Sequence, residues 1–395
     1  TLGLNGALSI DQNIWFTGGK VSLSSSLDFM KQLGSGGSRQ FMSVPIALQL
    51  TQPIFGVNNL KWNRRIEPVR YEEAKAAFIT ATETVTMNAI TYFFNLLSAK
   101  ETLGTARQNQ VNADRLYEVA GAKRKMGQIS ENELLQLKLA ALKARAAVTD
   151  AESNLNAHMF RLRSFLAIGN DLILEPVVPE SAPNLKMEYN QVLNKALERN
   201  SFAHNIRRRQ LEAEYEVATA RGNLRSVDLF ANVGYTGLNK DLSPAYHNLL
   251  DNQVVEVGVK IPILDWGKRR GKVRVAKSNR DVTLSKIKKE QMDFDQDIFL
   301  LVEHFNNQAQ QLSIANEADK IAQQRYKTSV ETFLIGKINT LDLNDAQNSK
   351  DDARQKHINE LYWYWYYYYQ LRSLTLWDFQ NNTPLEADFE DIIKK

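Results

Sequence analysis

A mainly α-helical chain with β-strands, built as a duplicated unit of strand hairpin plus long α-hairpin, is the fold this sequence predicts. Three observations carry that prediction. Apolar residues recur at steps of three and four over stretches of roughly 60 residues, the signature of long amphipathic helices. Short segments of alternating apolar and polar residues precede each such stretch, as half-buried strands do. The whole pattern then occurs twice at one fixed offset.

The offset can be checked on single residues. Pro262 minus Pro53, Tyr326 minus Tyr117 and Gly336 minus Gly127 are all 209. Leu162-Arg163-Ser164 and Leu371-Arg372-Ser373 share it, as do Val85 with Phe294, Ala89 with Ile298, Leu96 with Phe305 and Leu103 with Leu312. Strand residues Ile46, Leu48 and Leu50 fall on Val255, Val257 and Val259. One gapless register for the whole set marks an internal duplication.

Taken in order, residues 1–57 read as strands, with Val21, Leu23, Leu27 and Phe29 alternating and Val44, Ile46, Leu48 and Leu50 doing the same. Gly34-Ser35-Gly36-Gly37-Ser38 is a loop between them. No helix follows those glycines, so they are not a phosphate cradle. Thr17-Gly18-Gly19 is a turn after Trp15-Phe16, which suggests an extra strand in the first repeat.

A long α-hairpin occupies 58–168. Its seam runs Phe78, Ala81, Val85, Ala89, Tyr92, Leu96, Ala99, Leu103, and it turns near Gly127. Ser130 with Glu133 three residues on has capping-box spacing. Leu135, Leu139, Leu142 and Ala146 carry the second arm, which is expected to end near Gly169-Asn170.

A connector with Pro176, Pro179 and Pro183, then a shorter helix over about 189–221, fills 169–223. The second strand pair lies in 224–265, with Val227, Leu229, Ala231, Val233 and Tyr235 facing Val255, Val257, Val259 and Ile261 across a polar loop over 237–252. A second long hairpin, with a seam at Ile287, Phe294, Ile298, Leu301, Phe305 and Leu312, occupies 266–378, and a tail over 379–395 ends the chain.

Composition narrows the function classes. The formal charge is only +4, and no basic stripe with interleaved aromatics points to nucleic acid. There is no Cys, hence no disulfide, thiol nucleophile or zinc cluster. His158, His204, His247, His304 and His357 fall in no metal-ligand spacing, and no GxSxG or P-loop occurs, so no catalytic site, metal or cofactor is expected. No stretch approaches the roughly 18 apolar residues of a spanning helix, so a membrane role must come through strands. The chain opens inside an apparent strand, and no signal peptide is expected within it.

Helices of about 60 to 68 residues are on the order of 90 to 100 Å long and must pack lengthwise against neighbours. A few strands per chain leave open edges, and in lipid only a closed barrel satisfies strand backbones. Several copies closing one barrel, with the helices continuing the cylinder, meet both demands. The rival reading is a soluble coiled-coil adaptor or scaffold with a small β-domain.

On this plan, and on Tyr326…Gly336…Leu341-Asp342-Leu343…Asp345-Ala346-Gln347, the sequence resembles the TolC-like outer-membrane efflux and secretion channels. Gln52-Pro53-Ile54-Phe55 and Ile261-Pro262-Ile263-Leu264 are similar to that family's strand-to-helix junctions. The resemblance implies a homotrimer with a twelve-stranded outer-membrane barrel and a periplasmic α-barrel. It implies a passive exit duct for efflux or type I secretion, partnered by a periplasmic adaptor and an inner-membrane pump. Two departures stand out: the helix that precedes the first strand in the family is missing, which reads as a shortened start, and the extra strand questions a count of four per protomer.

The resemblance places Asp342 and Asp345, three apart on one helical face, at a periplasmic gate. Gly127, Gln128, Ile129 and Ser130, with Gly336, Lys337, Ile338 and Asn339, are the tips that would dock the adaptor, each presenting an exposed Ile. Lys123, Arg124 and Lys125 read as a solvated helix end. Tyr362 to Tyr369, aromatic all round, reads as a packed belt between helices. Lys268, Arg269 and Arg270 read equally as a solvated helix start or a contact for lipid head groups.

Overall fold

The computed structural model describes residues 1–33, 37–169, 172–177, 183, 185–225, 227–247, 249–261 and 264–389. Along the chain run β1 (Leu2–Asn13), β2 (Lys20–Lys31), β3 (Arg39–Pro53), α1 (Asn59–Lys125), α2 (Glu131–Leu166), α3 (Tyr189–Arg199), α4 (Ser201–Leu224), β4 (Asp228–Asn239), α5 (Leu242–His247), β5 (Leu249–Lys260), α6 (Lys268–Leu334), α7 (Thr340–Thr375), β6 (Trp377–Asp378) and β7 (Thr383–Pro384). The duplication holds to the residue in the helices. α1 and α6 each span 67 residues, α2 and α7 each span 36, and 268 − 59 and 340 − 131 are both 209.

The chain divides into two compact units, residues 1–73 with 204–292 and residues 74–203 with 293–395. The first holds a five-stranded antiparallel sheet in the order β1-β2-β3-β4-β5. The expected extra strand is therefore present: β1 pairs along its whole length with β2, from Leu2 opposite Lys31 to Asn13 opposite Lys20. The turn that follows has Gly18 at φ 76° and an Ile14 N–H bond to Gly19 O at 2.7 Å.

The polar loop expected over 237–252 is corrected. β4 runs on to Asn239, α5 fills 242–247, and β5 starts at Leu249. α5 fits so closely over the sheet that a Cβ on Gly237 would meet Ala245 O at 1.9 Å, while Ser43 Oγ donates to that same carbonyl. Of the loop and junction residues singled out in the sequence, Gly34 to Gly36, Asn170, Pro179 and Pro262-Ile263 lie outside the described residues.

The second unit packs the long helices around one main core. Leu97, Val192, Ile298, Phe305, Leu361, Tyr364, Tyr368 and Leu371 are among its buried members. The single helix expected over 189–221 is broken at Asn200, whose extended backbone (ψ 144°) ends α3. Its side chain accepts from the Phe202 N–H at 2.8 Å and donates to Leu374 O at 2.6 Å. α2 ends at Leu166, short of Gly169, because Ala167 is left-handed (φ 52°); Leu376 does the same after α7. Trp377–Asp378, read as the end of the second hairpin, pairs with Thr383–Pro384 in what was read as a tail.

Burial separates the two repeats. The α6 seam is inside: Ile287, Ile298, Leu301, Phe305 and Leu312 are all buried. The seams read for the first hairpin are inside only in part. Leu96, Ala99 and Leu103 are buried, but Phe78 and Val85 are exposed, and on α2 Leu135, Leu139 and Leu142 are 53%, 52% and 54% exposed. The side of α2 that packs within the chain carries Leu137, Ala141, Ala151 and Leu162 instead.

Candidate functional site

The two hairpin tips are built alike. At the end of α1 the Gln128 N–H reaches back to Lys123 O at 2.9 Å, and at the end of α6 the Lys337 N–H reaches Thr332 O at 3.1 Å. Gly127 (φ 71°) and Gly336 (φ 78°) supply the left-handed residue this closure needs. A Cβ there would meet nothing within 4 Å, so backbone conformation and not crowding requires glycine.

The next helices start differently. Ser130 caps α2 with a full capping box: its Oγ accepts from the Glu133 N–H at 3.2 Å, and the Glu133 carboxylate accepts from the Ser130 N–H at 2.8 Å. That backbone bond, with the Ser130 hydroxyl, lowers the Glu133 carboxyl below its usual range. Asn339 caps α7, its Oδ1 accepting from the Asp342 N–H at 2.9 Å. Asp342 stands where Glu133 stands (342 − 133 = 209) but is one methylene shorter, and no return bond from its carboxylate to the cap occurs. Its charge is exposed and has no ion pair among the described residues.

Asp345 is also exposed, but Arg325 donates to it at 2.5 Å and to Ser349 Oγ at 3.1 Å. The expected pair of equivalent carboxylates thus becomes one unpaired and one latched to α6.

The tip isoleucines are not the exposed anchors expected. Ile129 and Ile338 are half-buried against Leu116, Ala120, Leu137, Tyr326, Leu343 and Ala346. The exposed apolar side chains are Met126, Ile335 and Leu341, at 63%, 68% and 76%. Sequence reasoning missed them; their signal was position, off the inward spacing and within two residues of the tip motifs. Between the tips lies a cleft of about 640 Å³ whose lining includes Lys123, Gln128, Glu133, Phe333, Lys337 and Asp342. Lys123 is not plainly solvated as expected, since its Nζ donates to Leu334 O at 3.4 Å and lies 5.6 Å from the Phe333 ring centre. Arg124 pairs with Glu131 at 3.0 Å.

Beyond the tips, a polar ladder that no motif announced ties α1, α6 and α7 together. Asn112 donates to the buried Tyr326 hydroxyl at 3.0 Å, and Lys350 lies 4.5 Å over that ring. Asn109 accepts from Lys350 at 3.1 Å and donates to Asp351 at 2.6 Å. Arg354 bridges Glu101 at 2.7 Å and the buried Asp319 at 3.1 Å. Burial works against the Arg354 charge, but the two carboxylates outweigh it and raise its pKa. One turn away burial lowers His357, whose Nδ1 has no partner.

The aromatic run is the packed belt predicted. Tyr364 and Tyr368 are 1% and 2% exposed against Phe305, with ring centres 5.1 and 6.3 Å away. Burial pushes the Tyr364 hydroxyl up to about 12, and it donates to Pro183 O. Tyr368, likewise raised by burial, donates to Asp378 at 2.7 Å. Asp378 shares Arg372 (3.5 Å) with Glu83 (3.3 Å). Burial raises Glu83, which has that one cation and an unpartnered oxygen. Burial also acts on Asp378, yet Tyr368, Asn381 and Arg372 together hold it low.

The sheet has one apolar and one polar side. In register across it run Leu23, Leu48, Val233 and Val255, then Leu50, Ala231 and Val257, with Leu23, Leu48, Val233, Val255 and Val257 at least two-fifths exposed. The neighbouring row, pointing the other way, is Ser22, Gln49, Asn232 and Glu256. This alternation is that of a barrel wall with lipid outside and water inside. At the helix end of the sheet Trp15, Phe16, Phe55 and Trp266 stand exposed at 68%, 68%, 61% and 91%, as aromatics at a membrane interface do. Asp265 lies three residues before α6, is lowered chiefly by the Arg269 N–H, and pairs with the Arg269 side chain at 3.7 Å.

Among the described residues no group of three or more His, Asp and Glu is placed to hold a metal ion.

The model of the outer membrane efflux protein family matches residues 17–167 and 192–375, one segment per repeat. Among solved structures, the CmeC outer membrane channel of Campylobacter jejuni is similar at 18% identity over 95% of this chain and 80% of that one, with a TM-score of 0.67. The outer membrane protein VceC of Vibrio cholerae is similar at 14% over 95% and 85% (TM-score 0.66). The MtrE outer membrane channel of Neisseria gonorrhoeae is similar at 14% over 94% and 80% (TM-score 0.64). No curated protein matches in sequence. With the family model covering both repeats and the TolC-like duplicated fold in place, the chain belongs to the outer membrane efflux protein family: it is a channel and not an enzyme, seated in the bacterial outer membrane and extending into the periplasm.

Proposed function

We propose that the chain is the exit duct of a tripartite efflux or type I secretion assembly, a homotrimer gated at its periplasmic tips. One observation carries the oligomer: Leu135, Leu139 and Leu142 form an exposed i, i+4, i+7 stripe on α2, although the matching α6-α7 hairpin is the buried one. Burying such side chains is worth about 1.5–3 kcal/mol each, and sister helices are the natural cover. An inner-membrane pump supplies the energy through a periplasmic adaptor. The adaptor docks on the tips at Gly127 to Ser130 and Gly336 to Asn339, with Met126, Ile335 and Leu341 as its apolar anchors.

Asp342 and Asp345 form the gate. Threefold symmetry brings six carboxylates round one axis, where they attract cations and repel one another. The Arg325 latch on Asp345 favours the closed tip, and opening splays the hairpins once that latch and its neighbours give way. The test is single-channel conductance of the reconstituted protein in calcium or magnesium. Asp342→Ala with Asp345→Ala is expected to weaken divalent-cation block, and Arg325→Ala to raise open-channel conductance. Block unchanged in the double variant removes the gate assignment.

A further inference from the structure

We infer that the junction between the sheet and the long helices binds anionic phospholipid head groups. Arg270, Arg274 and Lys277, on one face of α6 just past the exposed Trp266, take the phosphates of the leaflet that borders the periplasm. The outer-membrane seat of the family is enough for this, and the gate proposed above plays no part in it.

Charge is concentrated at this one end of the sheet. Residues 59–66, 219–228 and 260–277 hold twelve Lys and Arg against two Asp, a net +10 in a chain whose total is +4. All three segments belong to the first compact unit, and the fold gathers them. Pro53, Asp228 and Lys260 form one row across the sheet where the helices take over. Tyr215 of α4 donates to Asn59 of α1 at 3.0 Å, and a cleft lined by Asn63, Asn223 and Lys272 joins α6 to both. Within this cluster some cations are already held: Arg269 pairs with Asp265 at 3.7 Å, and just beyond it Arg280 pairs with Asp281 at 2.7 Å. Arg270, Arg274 and Lys277 are exposed, and none has a carboxylate partner among the described residues. Their i, i+4, i+7 spacing puts them on one face of α6, opposite the face on which Lys272, Ala276 and Asn279 line the cleft.

What adjoins the cluster identifies the anion as a lipid. The apolar side of the sheet runs down through Leu229 and Val259, which pair, and the same alternation leads on to the exposed Ile54 and Ile261. Phe55 and Trp266 come next, both exposed, and the free cations follow them along α6. Groups that favour acyl chains, interface and phosphate thus succeed one another in the order a leaflet presents them. From Lys268 to Lys277 the helix rises about 14 Å. That span is comparable to a head-group layer of roughly 5–8 Å plus a Debye length of about 8 Å. Long basic side chains can also reach back toward the phosphates while their stems lie along apolar surface. A soluble anion would need the cations alone and would give Trp266 and Leu264 nothing to meet.

The test is lipid selectivity of the reconstituted protein in phosphatidylcholine bilayers. Spin-labelled phosphatidylglycerol and phosphatidylcholine are compared by the fraction of each that the protein immobilises. One near-surface cation is worth at most about fivefold, and the parent is expected to prefer the anionic lipid severalfold. Arg270→Gln with Arg274→Gln and Lys277→Gln is expected to bring the ratio close to one. Arg274→Gln alone, a milder change for folding, should give a value between the two, and Arg270→Lys with Arg274→Lys should keep the parent ratio. Removing as many charges farther along α6, by Lys286→Gln, Lys288→Gln and Lys320→Gln, should leave it unchanged. A parent without preference, or an undiminished ratio in the glutamine variants, overturns the site. An equal loss in the distant control shows diffuse attraction and overturns it too. Soluble glycerophosphate at constant ionic strength is expected not to release the labelled lipid, and release at millimolar concentration would assign the cations to a free phosphate instead.

Discussion

Tyr364→Phe is expected to weaken the protein near neutrality and to strengthen it, relative to the parent, in alkali. Tyr364 is almost wholly buried beside Phe305, and its hydroxyl donates to the Pro183 carbonyl. Loss of that bond costs about 1 kcal/mol at pH 8. The ionisation works the other way. Burial raises this hydroxyl from an ordinary 10 to about 12, so between those values the unfolded chain has given up a proton that the folded chain keeps. The stability tied to the neutral phenol is whole below pH 10 and is lost as pH climbs to the folded value, at about 1.4 kcal/mol per pH unit. Phenylalanine has nothing to ionise, so the two stability curves cross at about pH 11 on these magnitudes. Every other ionisable group is common to both proteins and cancels in the difference. Guanidinium unfolding followed by circular dichroism at pH 8, 10, 11 and 12 reads it directly. A gap of constant sign and size across that range refutes the reasoning.

Arg354→Met leaves Glu101 and the buried Asp319 without their cation, which costs about 3–5 kcal/mol and lowers the thermal midpoint. Adding Asp319→Leu is expected to recover part of that loss, and a second variant no more stable than the first counts against the ladder. Asp342→Glu keeps the charge but restores the reach of Glu133, so the carboxylate is drawn back onto the Asn339 cap. Divalent-cation block should weaken in that variant while thermal stability rises by about 0.5–1 kcal/mol, and undiminished block would show that charge alone sets the gate.

The duplicated plan was legible because helix periodicity and glycine punctuation survive divergence. The 209-residue register read from Pro53, Gly127 and Tyr117 is the register of the helix ends. The capping box at Ser130 and the aromatic core at Tyr364 and Tyr368 were legible for the same reason, since each is set by residues a few positions apart. What escaped depended on contacts distant in sequence. The break at Asn200 needs Leu374 O, 174 residues away, and helix α5 needs Ser43 to seat it. Burial of Ile129 and Ile338 could not be read either, because an apolar residue at a turn looks the same whether it points in or out. Likewise the seam through Leu135, Leu139 and Leu142 was recognised by its spacing, but spacing does not say whether its cover comes from the same chain.

Two copies that agree so closely in backbone make their disagreements informative. An N3 carboxylate follows both tips, yet the first copy spends it on a cap and the second leaves it unpaired. The next position of interest holds Gln136 in one copy and Asp345, latched by Arg325, in the other. Aromatic residues 362–369 stand where the first copy has Ser153 to Phe160, so one outgoing helix fills a core while the other keeps an apolar stripe turned outward. If both arms were needed only to hold a hairpin together, neither difference would have a physical reason. On the function proposed above, a division in which the second hairpin anchors each protomer and carries the gate, while the first supplies the face for its sisters, accounts for both.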